Sequence, residues 1–366
     1  DTQKGLVDPA EVWADERHQA YPAERAAPDP AAISEAARIL AGASRAVAIC
    51  GGGPVISGAY PQLARLAQLL DLPIATTVSG QGVIAETCRA GSVTTERWRS
   101  PTSDKTIIHI DSDPMVIGAN YPTAVAICAD AALALDALLA ELEAHPAPAS
   151  QNGIMRAKSA WDVKLAAFDP LAASGQTPIR PERVISTLSK LLDDDAIIVA
   201  DPGTPCPYFS AHYRWRKEGR NFITNRAHGA LGYALAASMG AHIGRPGVKT
   251  VAVMGDGSFG FCCGEYETIV RYRMPITSIV FSNATFGWIK AGQNSGFDKR
   301  FYNVDFNRTD HAAVASAFGV KSWRVEDPDE LESVLRQALA HDGPTLVDII
   351  SQPLHEAAAP VSEWVA

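Results

Sequence analysis

Short apolar runs alternate with longer amphipathic stretches along most of the chain, the pattern of parallel strands joined by crossover helices. Two runs, Thr250-Val-Ala-Val-Met254 and Ile276-Thr-Ser-Ile-Val-Phe281, are too continuously apolar for a half-exposed strand and predict strands covered on both faces. In the first half the pattern predicts helices over 30–41, with Asp29 as N-cap and Pro30 opening the first turn, and over 60–70. Strands are expected at 46–50, 73–76 and 105–110, with the turn Gly51-Gly-Gly-Pro54 after the first. Beyond Pro178 a second set begins: helices over 181–192, 230–242, 310–318 and 328–340, and strands at 196–200, 221–224, 321–325 and 345–350 around the two motif strands. The fold class is therefore α/β, with two doubly wound parallel-sheet domains at 31–146 and 178–366. A Pro- and Gly-containing connection at 147–177, with one helix near 154–168, joins them, and residues 1–30 form a linker or wrapping arm. No internal repeat or low-complexity tract is present.

The chemistry concentrates at the ends of the two apolar strands. The first runs into Gly255-Asp256-Gly257-Ser258, and the second into Ser282-Asn283-Ala284-Thr285, with Asn283 standing 27 residues after Asp256. Two strands that each end in a hard oxygen donor, with a helix between them, make a site for Mg²⁺ and a diphosphate. Such a cation takes carboxylate, amide, carbonyl, phosphate and water oxygens in near-octahedral array. Gly257 and Ser258 can offer backbone N–H groups at a helix start, where the helix dipole favours anions. A Gly-Asp-Gly alone also marks ordinary turns; strand, turn, helix, strand and amide in this order are far more specific.

That order resembles the cofactor motif of thiamine-diphosphate enzymes of the acetolactate synthase and 2-oxo acid decarboxylase group. Asn225-Arg-Ala-His-Gly-Ala-Leu-Gly-Tyr-Ala-Leu-Ala-Ala-Ser-Met-Gly240, just upstream, is similar to the same group. The resemblance makes 31–146 a central, dinucleotide-binding-like domain and 178–366 the domain that holds the diphosphate. It implies Asp256, Asn283 and the Thr285 carbonyl as metal ligands, with Gly255 and Gly287 inside the cofactor motif. Gly203, Thr204, Gly257 and Ser258 are expected to donate N–H groups to the diphosphate, although Asp201-Pro-Gly-Thr204 is equally readable as a strand-to-helix turn. Leu231 takes the place of the apolar wedge between the cofactor rings, and the Gly229 carbonyl that of acceptor for the pyrimidine amino group. The alternative is that Leu231 is merely the first core position of its helix. His228 either faces the substrate or is an ordinary solvated histidine; Trp288 either lines the acceptor pocket or is core; Lys290 either meets a substrate carboxylate or is an exposed helix lysine.

Composition narrows the rest. Apolar content of 47% and charge of 20% allow large cores, and a net charge of −9 with no offsetting basic patch argues against nucleic acid. No apolar run is long enough to span a bilayer, and no signal peptide is visible. The six cysteines (Cys50, Cys88, Cys128, Cys206, Cys262, Cys263) lack metal spacing and lie in or beside apolar runs, as reduced core residues of a cytoplasmic protein would.

Two features depart from the resemblance. Gly82-Val-Ile-Ala-Glu-Thr87 runs straight into Cys88-Arg-Ala-Gly-Ser92, where relatives carry a further strand and helix, so a segment is expected to be missing near 87/88. Nothing in residues 1–30 resembles the N-terminal domain whose glutamate activates the cofactor in this family. The function expected is decarboxylation or carboligation of a 2-oxo acid by a homo-oligomer, a dimer or tetramer, with a second chain or absent segment supplying the pyrimidine-binding domain. The alternatives are a lyase acting on 2-hydroxyacyl-CoA or oxalyl-CoA-type thioesters, and a non-catalytic paralogue. The Gly51–Pro54 turn lacks a full GxGxxG and leaves FAD, an ADP moiety or nothing equally open.

Overall fold

The computed structural model describes residues 6, 8–13, 15–84, 88–89, 101–145, 152–225 and 228–357. Residues 85–87 and 90–100, near the expected missing segment at 87/88, lie outside this set.

In the first half, strands β1 (Ala48–Cys50), β2 (Ile74–Thr76) and β3 (Cys88–Arg89) form a parallel three-stranded sheet. Strands β4 (Ile108–Asp111) and β5 (Val125–Cys128) form a separate parallel pair. Helices α1 (Pro30–Gly42), α2 (Gly53–Ser57), α3 (Tyr60–Leu70) and α4 (Ala131–Ala144) close one core around Ile33, Leu63, Leu66, Ile74, Ile127 and Leu138. Asp29 accepts from Ala31 N–H at 3.0 Å and caps α1 as expected. Asp130 does the same for α4, an element that the apolar pattern did not resolve, through Ala132 N–H at 3.0 Å and Leu133 N–H at 3.2 Å. The arm before α1 is tied down by Arg25, which donates to the Ser57 carbonyl at 3.0 Å and pairs with Asp130 at 3.6 Å.

Helix α5 (Gly153–Ala172) leads into the second half, whose sheet is entirely parallel. Its strands are β6 (Ile197–Ala200), β7 (Phe222–Ile223), β8 (Thr250–Gly255), β9 (Thr277–Ser282), β10 (Lys321–Val325) and β11 (Thr345–Ile350), in the order β10-β11-β9-β8-β6-β7. Every residue of β9 and β11 is buried, because helices cover both faces. One face packs Ile198, Val253, Phe281 and Val347 against α6 (Pro181–Leu191), α7 (Pro205–His212) and, after α8 to α12, α13 (Leu331–Leu339). The other packs Val199, Met254, Val280 and Leu346 against α8 (Tyr233–Gly244), α9 (Asp256–Cys262), α10 (Tyr266–Arg271) and α12 (His311–Ala317). The remaining helix, α11 (Gly287–Gly296), follows the second motif strand.

Several boundaries differ from the pattern: β1 starts at Ala48 rather than 46, β4 at Ile108 rather than 105, and α5 runs to Ala172 rather than 168. Helix α7 begins at once after the 201–204 turn, where the pattern showed only a loop. Helix α8 starts at Tyr233 rather than 230, because Gly232 adopts a left-handed φ of 82° that no helix continues. Helix α13 starts at Leu331 rather than 328, since Asp327 folds its side chain back onto Asp329 N–H at 2.8 Å in a turn of its own. Cys50, Cys206 and Cys262 are buried as expected and none of the described cysteines is bridged, but Cys128 is exposed. Among the described residues no helix is long and apolar enough to cross a membrane.

Candidate cofactor and metal site

β6 has β7 on one flank and β8 on the other, so the chain leaves it first in one direction and then resumes on the opposite side. In a doubly wound sheet such a reversal opens a crevice at the carboxyl ends of the strands. The turns after β6 (201–204) and β8 (255–258) face each other there: a Cβ on Gly203 would lie 3.7 Å from Leu231 Cδ2 and 3.9 Å from Ser258 Oγ. Gly203, Ser258 and Leu231 thus meet at one point. Thr204 joins them from beneath α11, where a Cβ on Gly287 would come within 2.6 Å of its Oγ1. Gly257 is equally constrained, since a Cβ there would stand 2.6 Å from the Phe286 ring. Gly257 and Gly287 are demanded by close approach rather than by turn conformation, whereas a Cβ on Gly203 would make contacts of ordinary length.

Asp256 is 5% exposed, and its carboxylate binds the tip of the neighbouring strand. Oδ2 accepts from Asn283 N–H at 2.7 Å and Ala284 N–H at 2.6 Å, and Oδ1 from Gly257 N–H at 2.9 Å. The Gly257 N–H is therefore committed to Asp256. Burial pushes the Asp256 carboxyl up from its ordinary range, and the three N–H groups, with His311, oppose that. A carboxylate offers about four lone-pair sites; with three taken, one on Oδ1 remains for a cation. Asn283 Oδ1 is buried with no hydrogen-bond partner, an arrangement that costs about 1–3 kcal/mol unless something outside the chain compensates it. The bend that aims this amide is a left-handed Ala284 at φ 56°, a conformation unusual for a residue with a Cβ. Thr285 spends its hydroxyl on the Val304 carbonyl at 2.8 Å, so the ligand atom it has to offer is its backbone carbonyl. A hard cation fits this donor set, and a diphosphate bridging to the Gly203–Ser258 side fits the crevice.

The loop carrying His228, Gly229 and Leu231 is exposed at the crevice rim. Leu231, 37% exposed, precedes α8 and is not a core position of that helix. Asn225 shapes the loop: its carbonyl accepts from His228 and Gly229 N–H at 3.0 and 2.8 Å, and its Nδ2 donates to the Ala230 carbonyl at 3.0 Å. Trp288 is half-buried and packs against the sheet core. Lys290 is not the exposed lysine of the plain reading; its side chain is 14% exposed and pairs with Asp305 at 2.7 Å.

Two supporting groups were not singled out from sequence. Asp201 is fully buried and accepts from Tyr233 N–H at 2.9 Å, holding the start of α8 and with it the Leu231 loop. Burial raises its carboxyl to about 6, against the pull of backbone N–H groups from Tyr233, Ala234 and Gly232. Its signal was present, an acid closing an apolar strand just as Asp256 does. Beneath Asn283, Ser282 Oγ contacts His311 Nδ1 at 2.9 Å and donates to buried Asp348, whose other oxygen accepts from His311 N–H at 3.2 Å. One imidazole nitrogen faces both serine and acid, so this is a brace for the end of β9 and not a proton relay.

Comparison with known families agrees with this geometry. The C-terminal TPP-binding domain of thiamine pyrophosphate enzymes matches residues 202–349, and the central domain of the same enzymes matches 33–93. The chain belongs to the thiamine pyrophosphate enzymes, in the acetolactate synthase group. It is 28% identical over 365 positions to the probable acetolactate synthase large subunit of Methanococcus aeolicus, covering 88% of this chain and 61% of that protein. The corresponding protein of Methanocaldococcus jannaschii is 29% identical over 361 positions, with 88% and 60% covered. The sulfoacetaldehyde acetyltransferase of Roseovarius nubinhibens is 28% identical over 367 positions, with 86% and 61% covered. The chain thus spans about three fifths of the length of these curated relatives. The matched 88% of 366 residues is about 322, fewer than the 365 aligned positions, so the Methanococcus protein has some forty positions without a counterpart here.

Proposed function

We propose that this thiamine pyrophosphate enzyme chain holds thiamine diphosphate and Mg²⁺ across the β6–β8 crevice. In the assembled protein it would serve the decarboxylation or carboligation of a 2-oxo acid, as an acetolactate-synthase-like enzyme. The carrying observation is the remaining lone pair on Asp256 Oδ1 beside the unpartnered Asn283 Oδ1 at adjacent strand tips. Together with the Thr285 carbonyl they are the metal ligands in this reading. Gly203, Thr204 and Ser258 cradle the diphosphate, Leu231 supports the bent cofactor, and the Gly229 carbonyl receives its amino group. The bound cofactor supplies an electron sink for the pair released when the donor loses CO₂. His228, at the open rim, is the histidine placed to meet a reactant. The reading also carries a cytoplasmic dimer or tetramer whose activating glutamate lies outside residues 1–366.

Calorimetric titration of the chain with thiamine diphosphate and Mg²⁺ tests this. Binding is expected in the parent chain and its complete loss in Asp256→Ala; heats unchanged by that substitution would overturn the assignment. A paralogue that keeps the cofactor but lost the chemistry is the second reading. It predicts the same titration and no turnover even with the pyrimidine-binding domain supplied in trans.

A segment missing from the central domain is proposed as well. The surplus of aligned positions over matched residues supports it. So do the separation of β4–β5 from β1–β3 and the exposure of Ile49 on β1, at 49%.

A further inference from the structure

The cofactor sheet reverses direction a second time. β11 follows β10 in the chain but lies between β10 and β9. After β9 the chain first builds α11, whose Trp288 and Ala291 pack on the face where Leu354, after β11, is core, and only then α12 on the other. The carboxyl ends of β9 and β11, with the segments that follow them, bound a crevice. A cavity of about 190 Å³ lies there, room for about six waters at ~30 Å³ each. Asn283 and Thr285 line it, so it adjoins the metal-ligand side of the cofactor site, whereas Gly203, Thr204 and Ser258 of the diphosphate cradle are not part of its lining.

We infer that this crevice is a second binding site, for a compact oxyanion: a free phosphate, or the carboxylate of a small reactant. Its charges are sorted by depth. Lys290 and His355 lie inside, with side chains 14% and 12% exposed, whereas their acidic partners Asp305 and Glu356 sit at the mouth at 58% and 59%. Arg308 lines the same cavity and forms no ion pair among the described residues. Lys290 gives one donor to Asp305 at 2.7 Å and keeps two. Ser351 Oγ, on a residue 1% exposed, and His355 Nδ1 are buried without hydrogen-bond partners at the same cavity. An oxyanion accepts from all of these at once, and an apolar guest would leave them unpaired. The Phe301 ring packs against both side chains, with Lys290 Nζ 5.0 Å from its centroid and the His355 ring 6.0 Å away.

The test is calorimetry on the full chain in metal-free buffer with chelator, using inorganic phosphate in one arm and pyruvate in the other. Saturable binding of one anion per chain is expected in at least one arm. It should weaken at least tenfold in Arg308→Ala and in Lys290→Met. Binding of phosphate alone identifies a free oxyanion as the occupant; binding of pyruvate alone identifies a reactant carboxylate. The inference is overturned if neither anion binds or if binding ignores Arg308 and Lys290. Arg308 is exposed, so its substitution leaves the fold intact. Loss of thiamine diphosphate binding would leave this result standing.

Discussion

At the scale of single residues, two buried carboxylates end adjacent stretches of the same sheet yet serve different ends. Asp256 has its oxygens turned across to β9, with one lone pair to spare for a metal. Asp201 turns both oxygens inward, one onto the start of α8 and the other, Oδ2, without a partner. Its carboxyl, raised to about 6 from 3.8, binds a proton more readily folded than unfolded. That contribution to stability is full below the unfolded value and disappears as pH rises through about 6. At 1.36 kcal/mol per unit the loss is on the order of 3 kcal/mol. In urea unfolding of the chain and of Asp201→Asn, the difference between the two should therefore move by about that much in favour of the variant between pH 4 and pH 7. A pH-independent difference would mean that Asp201 does not titrate as its burial requires. The Asp256–Asn283 pair was legible because residue type, strand end and spacing are all local. The depth of Asp201 was not, since burial is a property of what packs around it.

At the scale of elements, apolar runs located the strands of the cofactor sheet to within a residue or two. The helix starts were less visible. The start of α8 depends on Gly232, which combines a left-handed φ of 82° with an approach in which an added Cβ would stand 2.8 Å from Phe261 Cβ. Gly232→Ala is expected to cost about 1–2 kcal/mol for the backbone conformation alone, more once α8 and α9 are pushed apart. A lowered denaturant midpoint with weaker thiamine diphosphate binding would show that the turn aims Leu231. An unchanged midpoint would show that the loop relaxes without cost. β5 and α4, with alternating burial and a low contrast between helix faces, escaped the periodicity because their neighbours, not their own pattern, decide which side is covered.

At the scale of the whole molecule, the proposed reaction needs a carboxylate beside the pyrimidine ring, which a solvated site cannot replace. Purified 366-residue chain given a 2-oxo acid, Mg²⁺ and thiamine diphosphate is accordingly expected to show no CO₂ release above background, and addition of a chain carrying the pyrimidine-binding domain should produce it. Turnover by this polypeptide alone would refute the division of labour. The amino-acid order by itself determined the α/β class, the parallel sheet and the metal-ligand candidates, because each follows from short-range periodicity or from residue type at a strand end. Only the tertiary structure decided which turns meet across the β6–β8 crevice, which acids are buried, and that a second reversal gathers Lys290, Arg308, Ser351 and His355. Those residues are brought together by strand order, and strand order is a long-range outcome that no local pattern encodes.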